Sequence, residues 1–504
     1  MGLLGIDVGT TGCKATVLDY EGNVQGQAYS EYPPNISRTG RFEINPESTW
    51  DTVKKVISES LARYKGDKIK AVSVSSFGES VVPIGREGNV LSNSILYIDA
   101  RGSEEAKFME NRMGRDKILE ITGALAHPMY SLSKIMWMKK NLPEIYNRTW
   151  KFLLYADFIL YKLGAVPHTD YSLAARTMAF DVINKRWSDE ILDCAGIAVE
   201  KFGKPVQAGT IVGEINPGIA AELGLPTGVL LVAGGHDQPC AALGAGVIIN
   251  NVAVDGMGTV ECITPAFDRP VISKPMAEAN LVCVPHVKKD MYVTYAFNFT
   301  SGSLLKWFRD RFGYEEKLEA QKAGVNVYEV LLEKASKIDT NLFLLPHFAG
   351  AATPYMDPDA KGAIIGLDIN TTKADIVKAI MEGITFEMMV NLQHLEKAGV
   401  KVRELRTVGG LAQSRQMLQL KADMMGMKVV SLNVSEAGTL GVAILAGVAG
   451  GVYGSLEDAA KKLVKTREEF YPDQAKHAAY AEKFETYKRI YTGVRYIYGR
   501  DVKA

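Results

Sequence analysis

The chain has no uninterrupted apolar run long enough to span a bilayer, which argues against a membrane protein. It has no excess of charge: 58 Lys plus Arg face 58 Asp plus Glu. That balance gives no support to a nucleic-acid or membrane-surface partner. Cysteine is scarce and scattered. Cys13, Cys194, Cys240, Cys262 and Cys283 form no CxxC pair, so they read as reduced, mostly buried thiols, neither a disulfide frame nor a zinc site. The seven histidines lack HExxH or similar ligand spacing, and GxxxxGK[ST] is missing, so there is no Walker loop. Low-complexity segments and short repeats are absent. The first residues meet an acid, Asp7, too early for a signal peptide, and Ile6 breaks the myristoylation pattern. The expectation is a cytoplasmic protein whose 504 residues form two large domains or a few smaller ones.

The central stretch Gly234-Gly235-His236-Asp237-Gln238 follows a short apolar strand, Gly228 to Ala233, and precedes small residues from Ala241 to Gly246. An acid at the end of a buried strand, flanked by glycines, is a common way to hold a carboxylate in a cleft. A capped turn would have the same look, so the neighbouring segments decide. Leu3–Val8, Cys13–Leu18 and Val24 onward read as strands around the turn Gly9-Thr10-Thr11-Gly12. Its glycines turn backbone N–H groups toward an anion, its hydroxyls add donors, and Lys14 adds charge. Asp7, on the strand before the turn, suits Mg²⁺ directly or through water. Asn45-Pro46-Glu47 reads as a helix start with Trp50, Val53, Ile57, Leu61 and Tyr64 on one face.

Glu79 and Asp99 each follow an apolar strand, and carboxylates at strand ends suit the hydroxyls of a polyol. No role is assigned to Tyr171–Phe180, and Arg176 reads as structural. After Asn250 the opening layout returns: strand Val252–Asp255, turn Gly256-Met257-Gly258-Thr259, strand Val260–Ile263. Two such units predict two related domains across a cleft, divided near Gly246. Leu405–Val408, Gly409-Gly410 and a helix to Met425, then Lys428–Leu432 and a helix Thr439–Ala449, form a βαβα run with a mainly parallel sheet. The charged tail Ser455–Tyr498 reads as helical and outside.

Together, Gly5-Ile6-Asp7-Val8-Gly9-Thr10-Thr11-Gly12-Cys13-Lys14, Gly235-His236-Asp237-Gln238, Gly256-Met257-Gly258-Thr259 and Gly409-Gly410 through Ala422-Asp423 resemble the FGGY carbohydrate kinases, in the family's order over residues 3 to 450. The resemblance implies an α/β fold of two ribonuclease-H-like domains, of the actin and heat-shock-chaperone ATPase type, facing a central cleft. Residues 1–246 would hold sugar, and residues 247–504 ATP. It implies Asp237 as the catalytic base, Glu79, Asp99, Asp237 and Gln238 on the sugar, and Asp7 at Mg²⁺. Thr10, Thr11, Lys14, Gly258 and Thr259 would hold phosphates, and Gly410, Leu411, Gln413 and Ser414 the adenosine. Tyr97 takes the place of a usual tryptophan. Gly78-Glu79 departs from both the Arg-Glu of glycerol kinases and the Met-His of xylulokinases, and Gly78 removes a side chain from the pocket.

The activity implied is ATP-dependent phosphorylation of a small carbohydrate, a ketose such as xylulose, with a glycerol, polyol or aldonate kinase as the alternative. Outside that class stand an actin-like or chaperone-like ATPase and a sugar sensor without turnover. The expected partner is a small-molecule carbohydrate, with neither nucleic acid nor membrane, and a homodimer is admitted.

Overall fold

A computed structural model describes residues 1–36, 40–66, 68–434 and 436–498. The opening strands Gly2–Val8, Gly12–Asp19 and Val24–Glu31 form an antiparallel meander. Leu3, Leu4, Ile6 and Val8 are all fully buried, the near-continuous apolar run of a strand covered on both faces. Ile69–Ser76 and Leu230–His236 extend the sheet in parallel, and Ile211–Glu214 closes its edge antiparallel. Asn45 caps the helix Pro46–Arg63 by accepting from the N–H groups of Glu47 and Ser48. That helix lays Trp50, Val53, Val56 and Ile57 against the meander.

The second half repeats the plan. Val252–Met257 pairs antiparallel with Glu261–Phe267, parallel with Glu404–Val408, and through it with Lys428–Leu432. Short strands Tyr292–Val293 and Ala296–Asn298 pair on the far side of Glu261–Phe267. The twofold layout expected from the sequence is therefore the architecture of the molecule: two mixed sheets, each led by an acid-bearing strand and a Gly-rich hairpin.

Three details differ from the sequence reading. The central motif is not a turn after a strand; it is the strand. Leu230–His236 runs through both glycines, and Asp237 is the first residue of the helix Asp237–Gly244. Gly234 allows this, because a Cβ there would collide with the backbone carbonyl of Val74 on the adjacent strand. The tail is not wholly external helix: Thr466–Phe470 pairs antiparallel with Lys428–Leu432 as an edge of the second sheet, and Tyr487 is buried with its hydroxyl 2.6 Å from Glu387 Oε2.

The third concerns the division at residue 246. The helix Ala437–Ala449 returns to pack on the first sheet and crosses Asp237–Gly244. A single cut at 246 therefore does not separate the two bodies in space. The crossing is made by glycines: a Cβ on Gly441 would fall on the carbonyl of Cys240, and one on Gly244 on the carbonyl of Ala437. Gly5 likewise faces the carbonyl of Thr439. We expect Gly441→Ala to lower stability by about 1–3 kcal/mol or more, since a methyl there must push two backbones apart. Urea unfolding reads this, and a variant as stable as the parent would show that the crossing is not close-packed.

Candidate active site

Asp237 begins a helix at the carboxyl end of a parallel strand, within reach of the charges of Asp7, Glu79 and Arg176. Its side chain keeps 35% of its exposure, yet Oδ1 is buried and accepts no well-aligned hydrogen bond within the chain. His236 Nε2 approaches that oxygen at 3.2 Å. Burial pushes the Asp237 carboxyl up to about 7, and the charges of Asp7 and Glu79 push the same way. His236 is driven well below its ordinary range by burial and by Arg176, so its ring is neutral. Tyr295 OH lies 3.0 Å from Nδ1. With that hydroxyl donating to Nδ1, the ring proton sits on Nε2 and faces Asp237.

Asp7 lies on the strand beside Ser75, whose hydroxyl donates to Oδ1 at 2.7 Å. Burial raises its carboxyl, and the nearby Glu436 adds to the shift. The helix Ala437–Ala449 starts directly against it: a Cβ on Gly438 would stand 3.4 Å from Asp7 Cγ. Lys14 pairs with Glu436. The turn holding Thr10 and Thr11 is closed by Gly9 N–H donating to the Gly12 carbonyl at 2.9 Å and clamped by Tyr32.

Gly258, Thr259, Gly410, Leu411, Gln413 and Ser414 line one cavity of about 1060 Å³ in the second half. These are all six of the second-half residues expected on the nucleotide. The second turn is anchored from below: the N–H groups of Ser301, Gly302 and Ser303 donate to the carbonyls of Gly258 and Thr259 at 3.0–3.2 Å. Gly409 has φ +98°, and a Cβ there would stand 2.7 Å from the Met257 carbonyl oxygen, so glycine is required where the two strands meet. Under the turn lies a buried cluster in which Lys421 pairs with both Asp255 and Glu261, and Ser301 donates to Glu261 at 2.7 Å. Burial raises the Asp255 carboxyl, and Lys421 opposes this.

The two acids expected on the sugar fare differently. Glu79 is buried beside the cleft in the left-handed region, φ +65°, an uncommon conformation for this residue type. Arg176 Nε donates to its Oε1 at 2.6 Å. Asp99 is consumed by its own neighbourhood. Its oxygens accept from Arg101 Nε at 2.9 Å, Arg101 Nη2 at 2.7 Å, Arg101 N–H at 2.9 Å and Phe42 N–H at 2.7 Å. These bonds, led by Arg101, hold its carboxyl below the ordinary range despite burial. Gln238 follows Asp237 in the helix and is half-buried.

Sequence reasoning gave Arg176 a structural reading and passed over Tyr295, Tyr130, Glu436 and the cavity-lining residues Lys306, Asn326 and Tyr328. Arg176 carried a signal: a lone arginine within the apolar run from Leu173 to Phe180, all of it buried. Gly78 was read as vacating space. The structure corrects this: a Cβ at 78 would stand 2.9 Å from Arg176 Cγ and 3.1 Å from His236 Cδ2, so the space is filled from another segment.

Residues 2–244 match the N-terminal domain of the FGGY family of carbohydrate kinases, and residues 256–450 its C-terminal domain. The chain is 31% identical over 503 residues to a xylulose kinase of Staphylococcus epidermidis, covering 97% of this chain and 96% of that one. Among solved structures, a ligand-bound xylulose kinase of Lactobacillus acidophilus superposes with TM-score 0.89 at 25% identity, covering 99% of both chains. A gluconate kinase from the same organism superposes with TM-score 0.88, also at 25% identity and 99% of both chains. Both domains are matched in order and the whole length is shared, so the chain belongs to the FGGY family of carbohydrate kinases and is a sugar kinase with ATP as its phosphoryl donor.

Proposed function

We propose that the protein phosphorylates an uncharged ketose such as xylulose, with Asp237 as general base. The observation that carries the assignment is the Asp237 carboxyl: its Oδ1 is buried and approached by His236 Nε2 at 3.2 Å, and burial holds the group near neutrality. A base needs that combination to take a proton from a bound hydroxyl. The hydroxyl oxygen then attacks the γ-phosphorus as the bond to the departing ADP oxygen breaks, a transfer that depends chiefly on alignment and charge. Thr10, Thr11 and Lys14 from one hairpin, and Gly258 and Thr259 from the other, are proposed to hold the phosphates. Gly410, Leu411, Gln413 and Ser414 would border the nucleoside.

Mg²⁺ fits the first turn. Asp7 is a half-buried acid whose Oδ1 accepts from Ser75, and Glu436 beside it adds to the local negative charge. Among the described residues no three acidic, His or Cys side chains converge as a metal cage. That suits an ion bound through one carboxylate, water and substrate phosphates. Bound there, the ion would offset phosphate charge.

Similarity to the gluconate kinase raises an aldonate as a second acceptor. The charges at the site favour a neutral one. Arg176, the cation at Glu79, is neutralised by it, and Lys134 is spent on the carbonyls of Asp99 and Arg101. An acidic substrate would add a charge to a site already holding Asp7, Asp237 and Glu79.

An ADP-release screen with Mg-ATP against pentuloses, hexuloses, polyols, aldonates and glycerol tests the acceptor. We expect turnover on a ketose; turnover confined to an aldonate would overturn the neutral-acceptor reading, and ADP release independent of every sugar the kinase role. Asp237→Ala should fold and lose about 10²–10⁴-fold in kcat; an unchanged kcat would remove Asp237 from the chemistry. Glu79→Ala should raise KM for the sugar and leave KM for ATP in place.

The Asp237 carboxyl also sets two pH dependences. The base acts when deprotonated, so kcat/KM should rise with pH through about 7. The folded carboxyl holds its proton more tightly than the unfolded one, so the protein should lose stability as pH climbs from the ordinary 3.8 through about 7. Asp237→Asn should abolish that part of the loss, read as a melting-temperature advantage over the parent that grows between pH 5 and 8.

A further inference from the structure

Glu79, in the bend after the strand Ile69–Ser76, and Asp237, at the start of its helix, belong to different segments, yet one buried side chain reaches toward both. Arg176 leaves the end of the short helix Tyr171–Ala175 and crosses over Gly78. Its Nε and Nη2 both engage Glu79 Oε1. The guanidinium is stacked between Tyr130, 5.2 Å to the ring centre, and Tyr295, 5.5 Å away. Tyr295 comes from the second half of the chain, and its hydroxyl meets the ring of His236, whose other nitrogen faces Asp237. Glu79 meanwhile holds a left-handed backbone, with its carbonyl accepting from Ser131 at 2.5 Å.

We propose that Arg176 is the positioning residue of the acceptor site. It pins Oε1 of Glu79 so that Oε2 accepts from a sugar hydroxyl, and through Tyr295 and His236 it fixes the orientation of the Asp237 carboxyl. Gly78 is the complement of this device, since a Cβ there would stand 2.9 Å from Arg176 Cγ and force the stem that carries the guanidinium to shift. The guanidinium thus reaches the acceptor site from residue 176 while position 78 itself stays bare. Its fork and flat face are both used, which a lysine cannot reproduce. The inference rests on the reading of Glu79 as an acceptor ligand.

The experiment is steady-state kinetics of Arg176→Ala and Arg176→Lys with D-xylulose and Mg-ATP. We expect KM for the sugar to rise by at least about tenfold in the alanine variant while KM for ATP stays within about twofold, with the lysine variant intermediate. Added guanidinium should recover part of the lost kcat/KM in the alanine variant. A rise shared equally by both substrates and not recovered by guanidinium overturns the proposal, as does an unchanged sugar KM. If the alanine variant does not fold, Gly78→Ala displaces the same guanidinium and is expected to show the same split; unchanged sugar KM there overturns it. A wild-type enzyme inactive on D-xylulose would refute the ketose reading alone. In that case a crystal structure of ligand-free Arg176→Lys decides: Glu79 leaving its left-handed conformation supports the proposal, and Glu79 unmoved overturns it.

Discussion

Two helices meet at Gly244 and Gly441 with no side chain between them, and the site depends on that contact. One helix starts with Asp237. The other starts at Glu436 and Gly438, against Asp7. Because backbone touches backbone, the start of each helix is fixed relative to the first sheet with little slack. A pair of ordinary side chains at the crossing would hold helix axes about 8–10 Å apart. The proposed base and the proposed metal ligand would then drift apart with them.

Charge is distributed on the same plan. Asp7, Asp237, Glu79 and Glu436 gather at one end of one sheet, and Arg176 and Lys14 answer only part of that charge. Such a cluster is costly to bury and raises carboxyl pKa values, which is the environment a base working near neutral pH requires. The second half treats its own acids differently: Asp255 and Glu261 are closed off around Lys421 beneath the turn. One sheet end is left chemically open, while the other braces a loop.

How much of this was legible in the residues depended on how local each signal was. The hairpin turns and the capped helix at Asn45 are encoded in short stretches, and so are the six residues expected on the nucleotide, which line one cavity. The placement of Asp237 at the end of a buried strand was legible because glycines and small residues flank it. Asp99 misled for the same local reason: an acid after an apolar strand looks available, and only the fold brings Phe42 N–H and the Arg101 fork onto it. Tyr295 and Glu436 had no local signal at all. They reach the first sheet from about 60 and 200 residues beyond Asp237, and no periodicity encodes such a meeting. Gly78 showed the limit most plainly, since an absent side chain cannot say what fills its place.

The return of Ala437–Ala449 to the first sheet also bears on how the chain comes to be folded. Leu3, Ala71, Val232 and Leu243 share one core with Leu440, Ala443, Ile444 and Leu445, which a ribosome would add some two hundred residues after Leu243. Until then the emerging first half carries an apolar face that it cannot close by itself. Its completion is a long-range event, slow relative to local helix and hairpin formation, and it leaves a window in which that face is open to other chains. The two halves are sequential in the gene but interlocked in the protein, and maturation of the first waits on synthesis of the second.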